Sequence, residues 1–91
     1  MKVVINRCFG GFGLNRKARE EFCTRKGIQD ISDYEIDRAD PDLVAVVESM
    51  GKASWGNHAQ LKIVEVPDEV EWTVQEYDGM EWVAEVHRTW E

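Results

Sequence analysis

Short apolar runs alternate with polar breaks along the chain, and their spacing predicts a strand, two helices and then three more strands. The run KVVINR at residues 2–7 is β-branched without clean alternation, the pattern of a buried strand. Gly10, Gly11 and Gly13 then break regular structure. Asn15 offers an N-cap to a helix over residues 17–26, with Ala18, Phe22 and Cys23 near one face and Gly27 closing it. Residues 28–39 (IQDISDYEIDRA) alternate weakly between apolar and acidic positions and predict an ordered connection anchored by Ile28, Ile31, Tyr34 and Ile36. Asp40-Pro41 starts a second helix, because Asp caps free amides and Pro fits the first helical position. That helix carries Leu43, Val44, Val46, Val47 and Met50 to Gly51.

Residues 52–58 (KASWGNH) have loop chemistry around Gly56-Asn57. Trp55 either pins this loop to the core, which its large ring favours, or lies open to a partner. Leu61, Ile63, Val64 and Val66 make a strand that stops at Pro67-Asp68, where proline removes a ladder donor. Two runs rich in aromatic and β-branched residues then flank Asp78-Gly79, the dipeptide of a two-residue hairpin turn. The register follows: Tyr77 faces Met80, Glu76 faces Glu81, Gln75 faces Trp82, Val74 faces Val83, Trp72 faces Glu85 and Val70 faces His87. Trp82, Ala84, Val86 and Trp90 then share one face, and Glu81, Val83, Glu85 and His87 the other. A helix competes for residues 80–90, because Met80, Val83, His87 and Trp90 also fit a 3.6-residue period; the turn dipeptide decides for strand.

Together these elements predict one α+β domain over residues 1–91: a four-stranded, mostly antiparallel sheet against two helices, in the order β-α-α-β-β-β with a C-terminal β-hairpin. A hydrophobic share of 43%, with four Trp, supplies a core without disulfides, metals or cofactors. Cys8 and Cys23 lack a CxxC spacing and are expected to be buried thiols. No run approaches the length of a membrane span, and residues 1–5 turn polar too soon for a signal peptide, so an intracellular location is expected.

Charge adds a second pattern. The net charge is −7, yet residues 1–29 carry seven basic side chains against two acidic ones, and residues 30–91 carry four against sixteen. Such a surface argues against duplex nucleic acid as a partner, while the basic segment could hold a small anion.

Two places could carry chemistry. In CFGGFGL (residues 8–14), three glycines allow positive φ angles that turn successive amides toward one point beside a helix N-terminus, an anion nest. A strand reversing into a helix needs glycines as well. Arg16, Lys17 and Arg19 crowd the positive end of that helix, a penalty of about 0.3–1 kcal/mol each that a bound phosphate would reverse. Candidate ligand residues here are Arg7, Phe9, Gly10, Gly11, Phe12, Gly13 and Arg16, with the two rings stacking on a base or else packing under the helix. The loop matches neither GxGxxG nor a GK[ST] phosphate loop. The second place is residues 81–90, where Glu85 and His87 could orient a nucleotide, Arg88 grip phosphate and Trp90 stack; a solvated sheet face is the plain alternative. Glu76 opposite Glu81 would repel unless a cation or a proton intervenes. His58 and His87 form no metal-ligand spacing, and no nucleophile motif is present, so no enzymatic activity is expected.

At CFGGFGL, a DPDLV helix start, and the tail EYDGMEWVAEVHRTW, the chain resembles a group of small phage-encoded proteins that carry CFGGFGLS, EYDG and HRxW. The likeness covers nearly the whole chain, with Asn15 where the group has Ser and Trp82 where a polar residue is expected. Some phage proteins of this kind look like sponges for the nucleotide signals of bacterial defence, as in anti-Thoeris and anti-CBASS proteins. The resemblance implies a protein of the host cytoplasm that sequesters a cyclic or ADP-ribose-type nucleotide without turnover, and a homo-oligomer is expected because so small a domain rarely encloses a nucleotide by itself. An acidic nucleic-acid mimic that blocks a host defence protein is the alternative.

Overall fold

The structure, a computed structural model, describes residues 1–86. Its elements run β1 (Lys2–Asn6), α1 (Arg16–Lys26), a 3-10 turn (Asp33–Glu35), α2 (Pro41–Met50), a second 3-10 turn (Gly51–Ser54), β2 (Leu61–Glu65), β3 (Trp72–Tyr77) and β4 (Met80–Glu85). The fold is α+β. Its strands, however, form two antiparallel pairs, β1–β2 and β3–β4, and not the single four-stranded sheet that the pattern predicts.

The cause is local. A third strand would need the free edge of β1, but the Val4 amide donates to the Arg38 carbonyl at 2.8 Å and the Asn6 amide to Glu81 Oε1 at 2.8 Å. The hairpin instead packs over one face of the first sheet, where Val3, Ile5 and Val66 meet Val64, Trp72, Val74 and Val83. On the opposite face Val4, Leu61 and Ile63 join Ala18, Phe22, Leu43, Val46 and Val47 from the helices. Successive strand residues point to opposite faces, so a strand segment covered on both sides is apolar throughout, as Val3-Val4-Ile5 is.

The helices begin and end where their caps direct. Asn15 accepts from the Ala18 amide at 2.9 Å, and Gly27 closes α1 at φ 71°. The Asn15 side chain also donates to the Ala53 carbonyl. Asn15→Ala is therefore expected to cost about 1–2 kcal/mol in urea denaturation, the upper part of the range for a lost N-cap. Asp40 caps α2 through the Asp42 amide at 2.8 Å, with Pro41 at the first position. Lys26 Nζ bridges Asp40 at 2.6 Å and Asp42 at 3.2 Å, tying the end of α1 to the start of α2. The hydrogen bond to Asp40, foremost, raises the Lys26 ammonium above its ordinary pKa.

The hairpin has the expected register: the five expected pairs from Tyr77–Met80 to Trp72–Glu85 form, with Thr73–Ala84 between them. Asp78 (φ 54°) and Gly79 (φ 91°) both adopt the positive angles of a two-residue turn. Residues 80–85 are strand, and Glu81 and Val83 turn toward the body while Trp82 faces outward. The expected Val70–His87 pair, and His87, Arg88 and Trp90 themselves, lie outside the described residues.

Three core expectations need correction. Tyr34 is 86% exposed and Ile28 also faces solvent, because the connection is held by Ile31, Ile36 and the 3-10 turn between them. Cys8 is only half-buried, since the glycine loop starts there; Cys23 is buried, and both are free thiols. Trp55 packs partly buried against the main core, and its backbone forms a bridge with Leu14. Among the described residues no helix is long and apolar enough to cross a membrane.

Candidate functional site: the glycine loop and the hairpin turn

The chain leaves β1 into a loop held on both sides by backbone. A Cβ on Gly10 would lie 2.6 Å from His58 Cβ and from the His58 carbonyl oxygen. On the other side, a Cβ on Gly79 would lie 2.4 Å from Gly11 N and 2.6 Å from Gly10 N. Gly13 joins the same seam, since its carbonyl accepts from Gly56 N at 2.9 Å. The glycines of CFGGFGL thus serve close approach of three segments as well as positive φ at Gly10 (144°) and Gly11 (99°).

Asn6 ties those segments together. Fully buried, it donates from Nδ2 to the carbonyls of Cys8 and Gly79, both at 2.7 Å, and its Oδ1 accepts from Gln60 N at 2.9 Å and Cys8 N at 3.3 Å. Asn6 is not among the site residues that the sequence predicts, although asparagine is unusual inside a β-branched run and signals a dedicated hydrogen-bond role.

Between loop and turn lies an open depression of about 600 Å³, lined by Phe9, Gly10, Gly11, Glu76, Asp78 and Gly79. Phe9 is 59% exposed. Among the described residues, the amides of Phe9, Gly10, Phe12 and Gly13 donate to no acceptor, while the turn at Phe9-Gly10 directs the Gly11 amide toward the Cys8 carbonyl. The charged groups lining the depression are carboxylates, which changes the expected picture of a cationic pocket.

The expected cations are engaged elsewhere. Arg7 Nη1 donates to the Glu81 carbonyl at 2.7 Å. Arg16 pairs with Glu20 at 3.2 Å on its own helix, its side chain 92% exposed. Asp33 takes the place assigned to phosphate at the start of α1: Oδ1 accepts from Leu14 N at 3.3 Å and from Arg19 Nη2 at 2.6 Å. Phe12 packs against the main core, and the Arg38 guanidinium lies 3.6 Å from its ring centroid, so one of its faces is already covered. Of the proposed stacking rings in the loop, Phe9 is the open one.

The second candidate region divides. Glu85 is exposed, but Glu81, on the same face, is 5% exposed and grips Arg38 with both oxygens, at 2.5 and 2.8 Å. Arg38 is the cation that the Glu76–Glu81 pairing calls for. It is also the only basic residue between Lys26 and Lys52, a signal that was present in the sequence. Among the described residues, no group of three or more His, Cys, Asp or Glu is placed to hold a metal ion. No family model matches the chain, and neither a curated protein nor a solved structure matches it.

Proposed function

We propose that the protein is a phage anti-defence protein that captures an ADP-ribose-type nucleotide at the loop–turn depression without turning it over. The observation that carries this reading is the pairing of the acceptor-free Phe9 and Gly10 amides with an open Phe9 ring and the Glu76 and Asp78 carboxylates. Carboxylates suit ribose hydroxyls, backbone amides suit the acceptors of a base or sugar, and an exposed ring stacks on a base. The nucleoside end enters first, because two carboxylates repel phosphate. The phage origin and the nucleotide class rest on the CFGGFGL and EYDG resemblance.

Thermal-shift titration against ADP-ribose isomers and cyclic nucleotides tests it. Binding to the native state at a hundred times Kd adds about 2.7 kcal/mol of stability, and mass spectrometry should recover the ligand intact. Phe9→Ala and Asp78→Asn should each weaken binding at least tenfold; asparagine keeps the turn because it tolerates positive φ. Absence of a shift with every nucleotide removes the reading, and turnover of the ligand replaces it with a hydrolase.

A second reading draws on charge. Residues 1–58 hold nine basic and nine acidic side chains, whereas residues 59–91 hold two basic and nine acidic, so the whole net charge lies on the final third. Glu65, Glu69, Glu76, Asp78 and Glu85 are exposed there. A host protein with a basic groove would dock on that surface, and its capture would weaken steeply with salt.

A further inference from the structure

We propose that Asn6 is the positioning residue of the candidate site: it sets the gap between the glycine loop and the hairpin turn from beneath, without touching a ligand. The proposal rests on the depression being the ligand site. Each wall of that depression belongs to a different layer, Phe9–Gly11 following β1 and Glu76–Gly79 closing the hairpin. No strand ladder joins them, since β1 pairs with β2 and β3 with β4. Instead, one side-chain amide donates to Cys8 O, immediately before the first wall, and to Gly79 O on the second, both at 2.7 Å.

The residue type is demanded by that geometry. Two N–H donors meet two carbonyls, and the oxygen receives Gln60 N and Cys8 N, so the whole capacity of an asparagine side chain is used. Aspartate has the same shape but would set an oxygen against each of the two carbonyls, and in a buried position such a contact has no solvent to relieve it. Leucine would leave both carbonyls and two amides without partners. The same amide also anchors the 58–60 segment that closes over Gly10, so three backbones are registered from one point.

Nuclear magnetic resonance reads the gap without any ligand. In the wild-type protein the Asn6 side-chain amide protons should exchange slowly, and a Gly79 Hα should show cross-peaks to the Gly10 and Gly11 amide protons. In Asn6→Asp those cross-peaks should vanish while the β1–β2 and helix cross-peaks persist, and affinity for ADP-ribose should fall at least tenfold. Val46→Ala, in the helix-side core, is the comparison: it should lower Tm and leave both the cross-peaks and the affinity unchanged. Unprotected Asn6 side-chain protons in the wild type overturn the proposal, even if the variant does not fold. So does a folded Asn6→Asp that keeps the cross-peaks. Should ADP-ribose fail to bind the wild type, the functional reading is lost while the cross-peaks still decide the role of Asn6.

Discussion

Gly79→Ala is expected to lower stability by about 2–4 kcal/mol, a large part of the roughly 5–10 kcal/mol that holds a domain of this size. Two causes add at this position. Alanine at φ 91° is strained by itself, and its Cβ would fall 2.4 Å from Gly11 N, 2.6 Å from Gly10 N and 3.0 Å from Gly10 C. All three are backbone atoms, so no flexible side chain can swing aside, and the hairpin must lift from the loop. Gly11→Ala separates the causes. Gly11 has a comparable φ of 99°, but nothing lies within 4 Å of its would-be Cβ, so it should lose only the conformational part, about 1 kcal/mol. Urea denaturation of both variants checks this. Equal losses would mean that the loop and the turn do not touch.

That contact also explains what could be read from the sequence and what could not. Asn15, Gly27, Asp40-Pro41 and Asp78-Gly79 act within a few residues, through caps and turn angles, and the α+β class and hairpin register followed from them. The predicted four-stranded sheet failed because the edge of β1 is capped by the Arg38 carbonyl and the Glu81 carboxylate, and although the Glu76–Glu81 pairing calls for a cation, nothing local shows that the resulting pair covers that edge. A glycine run likewise marks permissive backbone without saying whether the space is needed for a ligand or for another backbone. Here Gly10 meets His58 and Gly79 meets Gly10 and Gly11. The basic residues at the start of α1 were a sound signal of a missing negative charge, but Asp33, fourteen residues beyond Arg19, supplies it from within the fold. Of the expected ligand residues, Phe9, Gly10 and Gly11 line the depression, and Glu76 and Asp78, which the sequence assigns to the hairpin's register and turn, form its other wall.

Glu81→Ala should be comparably damaging, by a different route. It would leave the Arg38 guanidinium without its carboxylate and the Asn6 amide without an acceptor, in a place where the two side chains are 19% and 7% exposed. Removing one partner of a buried pair costs roughly 3–5 kcal/mol, and the partial exposure of Arg38 places the expectation near 3. Most of that loss reflects a charge stranded between the layers. Replacing both partners, as Arg38→Met with Glu81→Met, should therefore be less harmful than Glu81→Ala alone, because the apolar pair still fills the space beside Phe12 without an unpaired ion. A double-mutant cycle by urea denaturation measures the coupling, which should exceed 1 kcal/mol and change little with added salt. The exposed Arg16–Glu20 pair, treated in the same way, should give at most a few tenths of that coupling and lose it in salt. Were the double variant as unstable as Glu81→Ala, the stranded guanidinium would add no cost, and the loss would belong to the Asn6 amide left without its acceptor.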